Sequence, residues 1–310
     1  MYDSTKPYKK QILKLIQKTW ETPYVSIKNQ IIKKKFSFPE YCHTDGIGTK
    51  GIYHWQKRTF RNAVLDALAM NLNDILIMNA NPYGILNHLF LPKDDKKAIL
   101  EIIDYFSKEC KKRKIAILGG ETAIHNDMKG LELSIAILSF VEKPKKNKFE
   151  IDDILIGIAS NGLHSNGFTK VREIFGKKFK GEFIVPTFIY FDEIFPLIEK
   201  FNINGIAHIT GGAFTKLKDL LKRADVLIKR NHKLKPQPIF KELYKKGVSD
   251  EEMYKIFNCG IGLILSVKPK DAHKILSEIK DFKTDIIGEV ISGTGKVIIE
   301  SIFSNKKIIF

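Results

Sequence analysis

The sequence predicts an α+β protein of two domains built from α/β-type layers, and three observations point there. Apolar runs of strand length alternate with stretches of 3.6-residue periodicity, the pattern of sheets covered by helices. The 310 residues are 44% hydrophobic and 28% charged, ordinary values for a globular chain long enough for two medium domains. Glu142 to Lys148 is charged and contains Pro144, which places the boundary there: residues 1–143 form an N-terminal domain and 150–310 a C-terminal one.

In the first domain, Ile12, Leu13, Leu15 and Ile16 share one face of a short helix within Lys9–Thr19. Ile31-Ile32 and Phe36-x-Phe38 read as strand fragments, and Tyr41 to Thr44 as a strand that runs into a turn at Asp45-Gly46. Asn62 to Met78 is a helix with Ala63, Leu65, Leu68, Ala69, Leu72, Ile75 and Leu76 on its apolar face, stopped by Asn81-Pro82. Ile85–Leu91 is a buried strand, and Asp94–Arg113 a second helix with cationic residues at its C-terminal end. Ile115–Leu118 is a strand ending in Gly119-Gly120, and Leu133–Val141 another. In the second domain, Asp153–Ala159 is a buried strand, Asn161–Gly167 a polar glycine-rich loop, and Phe168–Phe175 and Tyr190–Phe201 helices. His208–Gly212 is a turn, Ile261–Val267 a strand, Ala272–Ile279 a helix, and Asp285–Val290 and Lys296–Ile299 closing strands.

The net charge of +17 is carried by short lysine runs spread along the whole chain, and no nucleic-acid-binding signature accompanies them. The expectation is therefore no specific nucleic-acid partner, with some of this charge able to attract an anionic substrate. Cys42, Cys110 and Cys259 are far apart and lack metal-site spacing, as expected of free thiols in the cytoplasm. Met1–Lys14 is polar and offers no apolar signal segment. Ile75–Pro92 has no formal charge, but its Asn, Gly and Pro residues make it two short buried elements joined by a turn, with no membrane span.

Six segments can carry chemistry. His43-Thr44-Asp45-Gly46-Ile47-Gly48-Thr49-Lys50 puts a carboxylate five residues before a lysine, with two glycines between them that permit close backbone approach to a ligand. It is neither a Walker A loop nor a Rossmann fingerprint. Asp66 and Asp74, with Asn73, lie on the Asn62–Met78 helix. Their eight-residue spacing lets the two carboxylates share a face, where a cation would offset the cost of burying them; the bland alternative is an exposed polar stripe. Leu118-Gly119-Gly120-Glu121-Thr122 presents a carboxylate after a strand, a further hard ligand suited to Mg²⁺. Asn161-Gly162-Leu163-His164-Ser165-Asn166-Gly167 groups an imidazole, a hydroxyl and an amide in one loop. His208-Ile209-Thr210-Gly211-Gly212 and Glu252 to Gly262 are weaker signals, each readable as a plain turn.

In this order the six segments resemble the aminoimidazole ribonucleotide synthetase (phosphoribosylformylglycinamidine cyclo-ligase) family. The pattern T-D-G-V-G-T-K, D-x-x-A-M-x-V-N-D, G-G-E-T-A, G-L-H-S-N-G, H-I-T-G-G and E-M-x-x-x-F-N-x-G-I-G is matched at 44–50, 66–74, 119–123, 162–167, 208–212 and 252–262. Pro236 to Phe240 resembles the family's proline-rich segment, and the likeness runs from Tyr41 to the C-terminus. Met1–Glu40 and Ile124–Asp127 depart from the family pattern.

The resemblance implies a mixed-sheet N-terminal domain for ATP, Mg²⁺ and dimerisation, and a C-terminal α/β sandwich for the nucleotide substrate. It implies ATP-dependent closure of formylglycinamidine ribonucleotide to aminoimidazole ribonucleotide in purine biosynthesis, by a homodimer. It assigns Asp45, Asp74 and Glu121 to Mg²⁺, and Gly46, Lys50, Asp66, Gly119 and Gly120 to the nucleotide. Ser165, Asn166 and Thr210 go to the substrate, and His164 and His208 to proton transfer. Two alternatives remain: another ATP-dependent phosphoryl-transfer enzyme of the same superfamily, which includes selenophosphate synthetase and thiamine-monophosphate kinase, or a catalytically degenerate binding protein.

Overall fold

The structure, a computed structural model, describes residues 8–310. The described residues divide into two compact units: up to residue 75 with 80–143, and 76–79 with 144–310.

The first unit contains α1 (Lys9–Ile16), β1 (Val25–Lys28), β2 (Ile31–Lys34), β3 (Glu40–Gly46), α2 (Gly51–Lys57), α3 (Phe60–Ile77), β4 (Asn81–Leu91), α4 (Lys96–Lys112), β5 (Ala116–Ile124) and β6 (Glu132–Phe140). β1 and β2 form a hairpin. The other strands make a four-stranded sheet in the order β3-β6-β4-β5, antiparallel except for the β4–β5 pair. Strand alternation gives this sheet two different faces. Ile85, Leu89, Leu133, Ile135 and Ile137 are buried on the inner one, whereas Leu86 is 43% exposed on the outer. On α4, Ile99, Ile102, Ile103 and Phe106 recur at helical spacing and are all buried, and Asp95 caps the helix by accepting from the Ala98 amide at 3.0 Å. α3 is buried nearly all round, and it takes Asp66, Asn71 and Asn73 into the interior at 0% exposure. An exposed polar stripe on this helix is thereby excluded.

Three local expectations are corrected. Phe36-x-Phe38 is not a strand; its rings stack on Phe140, at 4.4 and 5.7 Å between centroids. Asp45-Gly46 lies inside β3, where both residues pair with β6, so the chain turns only after it. Gly119-Gly120-Glu121 lies within β5 and does not end it. The register between β4 and β5 shifts at Leu118, an extra residue in β5. Its side chain fills the space that a Cβ at Gly84 would occupy, 2.6 Å from the nearest Leu118 carbon.

The second unit contains β7 (Ile154–Ala159), α5 (Phe168–Phe175), α6 (Phe191–Lys200), β8 (Ile203–His208), β9 (Ala224–Ile228), α7 (Pro238–Lys245), α8 (Asp250–Ile256), β10 (Ile261–Val267), α9 (Pro269–Glu278), β11 (Thr284–Ser292), β12 (Val297–Glu300) and β13 (Lys307–Ile309). One sheet runs β13-β12-β9-β11-β7-β10-β8, antiparallel except between β9 and β12. β10 is buried along its whole length, which is why it reads as a nearly continuous apolar run; β8 is buried throughout as well but carries Asn204 and His208 into the interior. Among the described residues no helix is long and apolar enough to cross a membrane.

Candidate functional site

In the first unit, strand geometry sets His43 and Asp45 two residues apart on the inner face of β3, and α3 brings Asp74 to them. The ligand atoms of the three residues all lie within 4.8 Å of one another. His43 Nε2 is 3.3 Å from Asp74 Oδ2, and Asp45 Oδ1 accepts from the Gly46 amide at 2.7 Å. Asn71, three residues before Asp74, donates Nδ2 to the Asp45 carbonyl at 3.0 Å and to the Ala67 carbonyl at 2.9 Å. Its Oδ1 is buried without a hydrogen-bond partner. The sequence reading quoted His43 in its motif without giving it a role and left out Asn71; the two-residue spacing from Asp45 was the signal for His43.

Lys50 and Asp66 require correction. Neither meets solvent: both side chains are 0% exposed, and Lys50 Nζ donates to Asp66 Oδ1 at 2.8 Å. The other carboxylate oxygen, Oδ2, is 2.8 Å from His54 Nε2, while His54 Nδ1 is 2.8 Å from Thr59 Oγ1. Burial favours the neutral imidazole and holds His54 below its usual pKa. In that state Nε2–H donates to Asp66 and Nδ1 accepts from Thr59, a tautomer assigned from its partners. Burial alone would raise the Asp66 carboxyl, but Lys50 and His54 together outweigh it and hold Asp66 well below the usual carboxylate range. A buried lysine already committed to a carboxylate is not placed to meet a phosphate.

Glu121 also departs from expectation. Asp45 pairs with Ile135, Ile135 with Asn87, and Asn87 with Gly120, so Asp45 and β5 are at opposite edges of the sheet, roughly 14 Å apart at the usual strand spacing. Glu121 pairs with His88, an exposed outer-face residue, and so lies on the face opposite Asp45. The three acids assigned to Mg²⁺ are therefore not assembled within one chain; His43 stands where Glu121 was expected. Gly119 and Gly120 line a cavity of about 270 Å³ with Asn87, Thr122, Ile103 and Ile117. Gly120 must lack a side chain, since a Cβ there would lie 2.4 Å from Asn87 Oδ1.

In the second unit, the loop after β7 and the turn after β8 converge on Tyr190. The rings of His164 and His208 lie 6.1 and 6.3 Å from the Tyr190 ring, centroid to centroid, and both histidines are buried. Tyr190 donates its hydroxyl to the Ala159 carbonyl at 2.8 Å, and burial keeps it protonated, well above the usual tyrosine value. His164 has a left-handed backbone, φ 58°, uncommon for a residue with a side chain. Gly262 makes room for the cluster: a Cβ there would lie 1.9 Å from Tyr190 Oη and 2.7 Å from His164 Cε1.

The polar groups around this cluster are fixed by neighbours. Ser165 and Thr187 hydroxyls are 3.0 Å apart, and Lys216 Nζ donates to Thr210 Oγ1 at 3.0 Å. Asn258 Oδ1 accepts from Ser160 Oγ at 2.7 Å and the Gly260 amide at 3.0 Å, and its Nδ2 donates to the Gly162 carbonyl at 2.8 Å. One side chain thus ties the end of β7 and the start of β10 to the loop that carries His164. Asn166 Nδ2 is buried without a partner. The sequence reading missed Tyr190, Thr187 and Lys216, and it quoted Asn258 in a motif without giving it a role. Tyr190 had no signal of its own, since an aromatic at the start of an apolar helix reads as core.

Comparison with known proteins matches residues 41–141 to the AIR synthase related protein N-terminal domain and 150–300 to the AIR synthase related protein C-terminal domain. A phosphoribosylformylglycinamidine cyclo-ligase of Saccharolobus solfataricus is 36% identical over 263 residues, covering 82% of this chain and 79% of that protein. One of Clostridium perfringens is 35% identical over 256 residues, 76% of each. Among solved structures, hydrogenase maturation protein HypE in complex with ATP superposes with a TM-score of 0.71 at 14% identity, covering 99% of this chain and 95% of that one, a likeness of fold alone. With both domains matched in order, and relatives this similar over most of its length, the chain belongs to the AIR synthase family.

Proposed function

We propose that this protein is a phosphoribosylformylglycinamidine cyclo-ligase, closing formylglycinamidine ribonucleotide to aminoimidazole ribonucleotide at the expense of ATP. The observation that carries this reading is the presence, in a chain 36% identical over 82% of its length to an enzyme of that name, of both a cation-ready cluster and a polar substrate loop. In the reaction the formyl amide oxygen takes the γ-phosphoryl group, a nitrogen attacks the activated carbon, and the oxygen leaves as phosphate beside ADP.

The first unit's part is to hold ATP with a divalent cation. The cluster fits such an ion: two carboxylates and an imidazole converge, and the buried Asn71 Oδ1 supplies a spare acceptor beside them. Asp45 and Asp74, with His43, would hold Mg²⁺, which when bound neutralises phosphate charge as it develops. Gly119 and Gly120 allow close backbone approach at the cavity by the far edge of the same sheet, whose apolar wall and Asn87 amide suit a base. Lys50, Asp66 and Glu121 have no direct part in this assignment.

The second unit's part is to bind and orient the substrate. Ser165, Thr210 and the unpartnered Asn166 amide offer hydrogen bonds, and Lys216 beside Thr210 adds a positive charge for the substrate phosphate. His164 or His208 takes the proton released on ring closure, and the protonated Tyr190 between them keeps both rings in place.

We also propose a homodimer through the outer face of the first unit's sheet, where Leu86 and His88 are exposed beside Phe90, and a cytoplasmic setting, which suits three free cysteines. The deciding assay incubates the purified chain with Mg-ATP and formylglycinamidine ribonucleotide and follows the product by mass. Formation of aminoimidazole ribonucleotide with equimolar ADP is expected. ATP turnover only with selenide or thiamine monophosphate would reassign the reaction within the superfamily, and absence of Mg-ATP binding in calorimetry would favour a binding protein.

A further inference from the structure

We infer that Lys50, His54 and Asp66 are positioning residues: a buried ionic clamp that sets the spacing of the Asp45–Asp74 pair, with Lys50 acting through this clamp and not on phosphate. The inference rests on reading that pair as a cation site.

Three observations carry it. First, the clamp is dry. Lys50, His54 and Asp66 are all 0% exposed, and both oxygens of one carboxylate are engaged, one by each partner. Ion pairs buried in this way add little net stability, because desolvation cancels most of their attraction. Such a pair is more valuable for fixing one geometry than for holding the fold together.

Second, the clamp joins the two segments that carry the ligands. Lys50 follows Asp45 by five residues and opens the stretch into α2; Asp66 precedes Asp74 by eight on α3, about 12 Å of helix. Along that length α3 meets the 43–54 segment at His43–Asp74, at the Asp45 carbonyl and Asn71, and at Asp66 with Lys50 and His54. The first two contacts belong to the ligands themselves. The third, at the far end, resists sliding or rotation of the helix. A cation such as Mg²⁺ holds its ligands at 2.0–2.1 Å, so shifts well below the 5.4 Å of a helical turn spoil the site.

Third, the clamp is itself braced. The Thr59 hydroxyl at His54 Nδ1 orients the ring so that Nε2 meets Asp66. A ligand's supporting partners commonly tune affinity in this indirect way.

The test measures Mn²⁺ binding to the nucleotide-free full chain by electron paramagnetic resonance, with thermal unfolding alongside. The variants are Asp74→Asn, the paired Lys50→Met/Asp66→Leu, and Thr59→Val. Asp74→Asn is expected to remove Mn²⁺ binding. Lys50→Met/Asp66→Leu exchanges the ion pair for apolar volume. It is expected to stay folded and yet bind Mn²⁺ about tenfold or more weakly. Thr59→Val, which deletes one hydroxyl, should weaken binding about threefold, and it decides the matter by the same readout if the paired variant does not fold. Wild-type Mn²⁺ affinity in the folded paired variant, with binding lost in Asp74→Asn, overturns the clamp and leaves the cation site standing. Wild-type affinity in Asp74→Asn overturns the cation site and the clamp with it. Loss of metal-free ATP binding in Lys50→Met, with Mn²⁺ binding intact, would show that the lysine touches phosphate after all.

Discussion

The candidate site of the first unit is held by charge, and that of the second, Lys216 on Thr210 aside, by neutral groups and reserved space. Around Asp45 and Asp74 the structure buries a lysine, a histidine and a carboxylate whose costs cancel only while all three are present. Around His164 and His208 it uses hydroxyls, amides and a tyrosine, and it keeps Gly262 free of a side chain so that two rings can meet. The contrast follows from the ligands proposed for each. A polyanion with a cation calls for fixed charges at set distances. A small polar substrate that must change shape calls for donors, acceptors and room.

If the contrast holds, substitutions should fail differently in the two units. The largest expected effect is that of Asp74→Asn, which should lower ATP turnover by about three orders of magnitude or more while the melting temperature stays near that of the unaltered protein; steady-state kinetics and calorimetry check both. Asp66→Asn, taken singly, should instead destabilise the first unit by about 3–5 kcal/mol, because Lys50 is left buried without its counter-charge. Urea unfolding measures this, and a loss under 1 kcal/mol would contradict the claim that charge holds this site.

In the second unit, Gly262→Ala should lower turnover about 100-fold by displacing Tyr190 and His164, with Mn²⁺ binding unchanged. Equal damage to Mn²⁺ binding would erase the distinction. Neutrality has a pH signature at His232, a buried residue whose pKa is lowered to about 4 by burial and then by Lys235. The unfolded chain, with a value near 6.5, takes the proton first as pH falls. Stability is therefore complete above about pH 6.5 and is lost towards pH 4, by about 2 kcal/mol between pH 7 and pH 5. Denaturant melts of His232→Gln should lack that share of the loss. The smallest effect belongs to Ser165→Ala, which forfeits the hydrogen bond to Thr187 at about 1 kcal/mol and should raise KM more than it lowers kcat.

Much of this arrangement was legible in the residues, for local reasons. α4 announces itself by apolar residues at helical spacing, and α5 by the glycine-bounded loop before it. Two helices without a sequence assignment carried signals of their own. Ser249 and Glu252 form a capping box at the start of α8, and Pro238 stands in the first turn of α7. β8 and β9 are too short, and too uniformly buried, to betray a period. The site residues divide on similar lines. Asp74 drew attention because a carboxylate in an apolar helix needs a reason, and Asp45 because it precedes a lysine across a glycine turn. Lys50 and Asp66 were each assigned to a nucleotide, whereas the structure pairs them with each other. No spacing rule pairs residues 50 and 66; only the packing of α3 against β3 does. Counting by twos from the buried Ile117 would turn Glu121 inward, and the extra residue at Leu118 reverses that count.

That bulge has a consequence for how the strand can change over evolutionary time. Because Leu118 is looped out of the ladder, with its side chain lodged over Gly84, losing it would shorten β5 without moving any partner beyond it: Gly119 would still lie opposite Leu86, and Glu121 opposite His88. The segment thus contains a place where a codon can be gained or lost without changing the register beyond it, at the cost only of Leu118's own packing over Gly84 and against the cluster that contains Tyr83, whereas the same event two positions later would turn every following side chain to the other face. Relatives compared across this strand can differ in length here and still present the same surface.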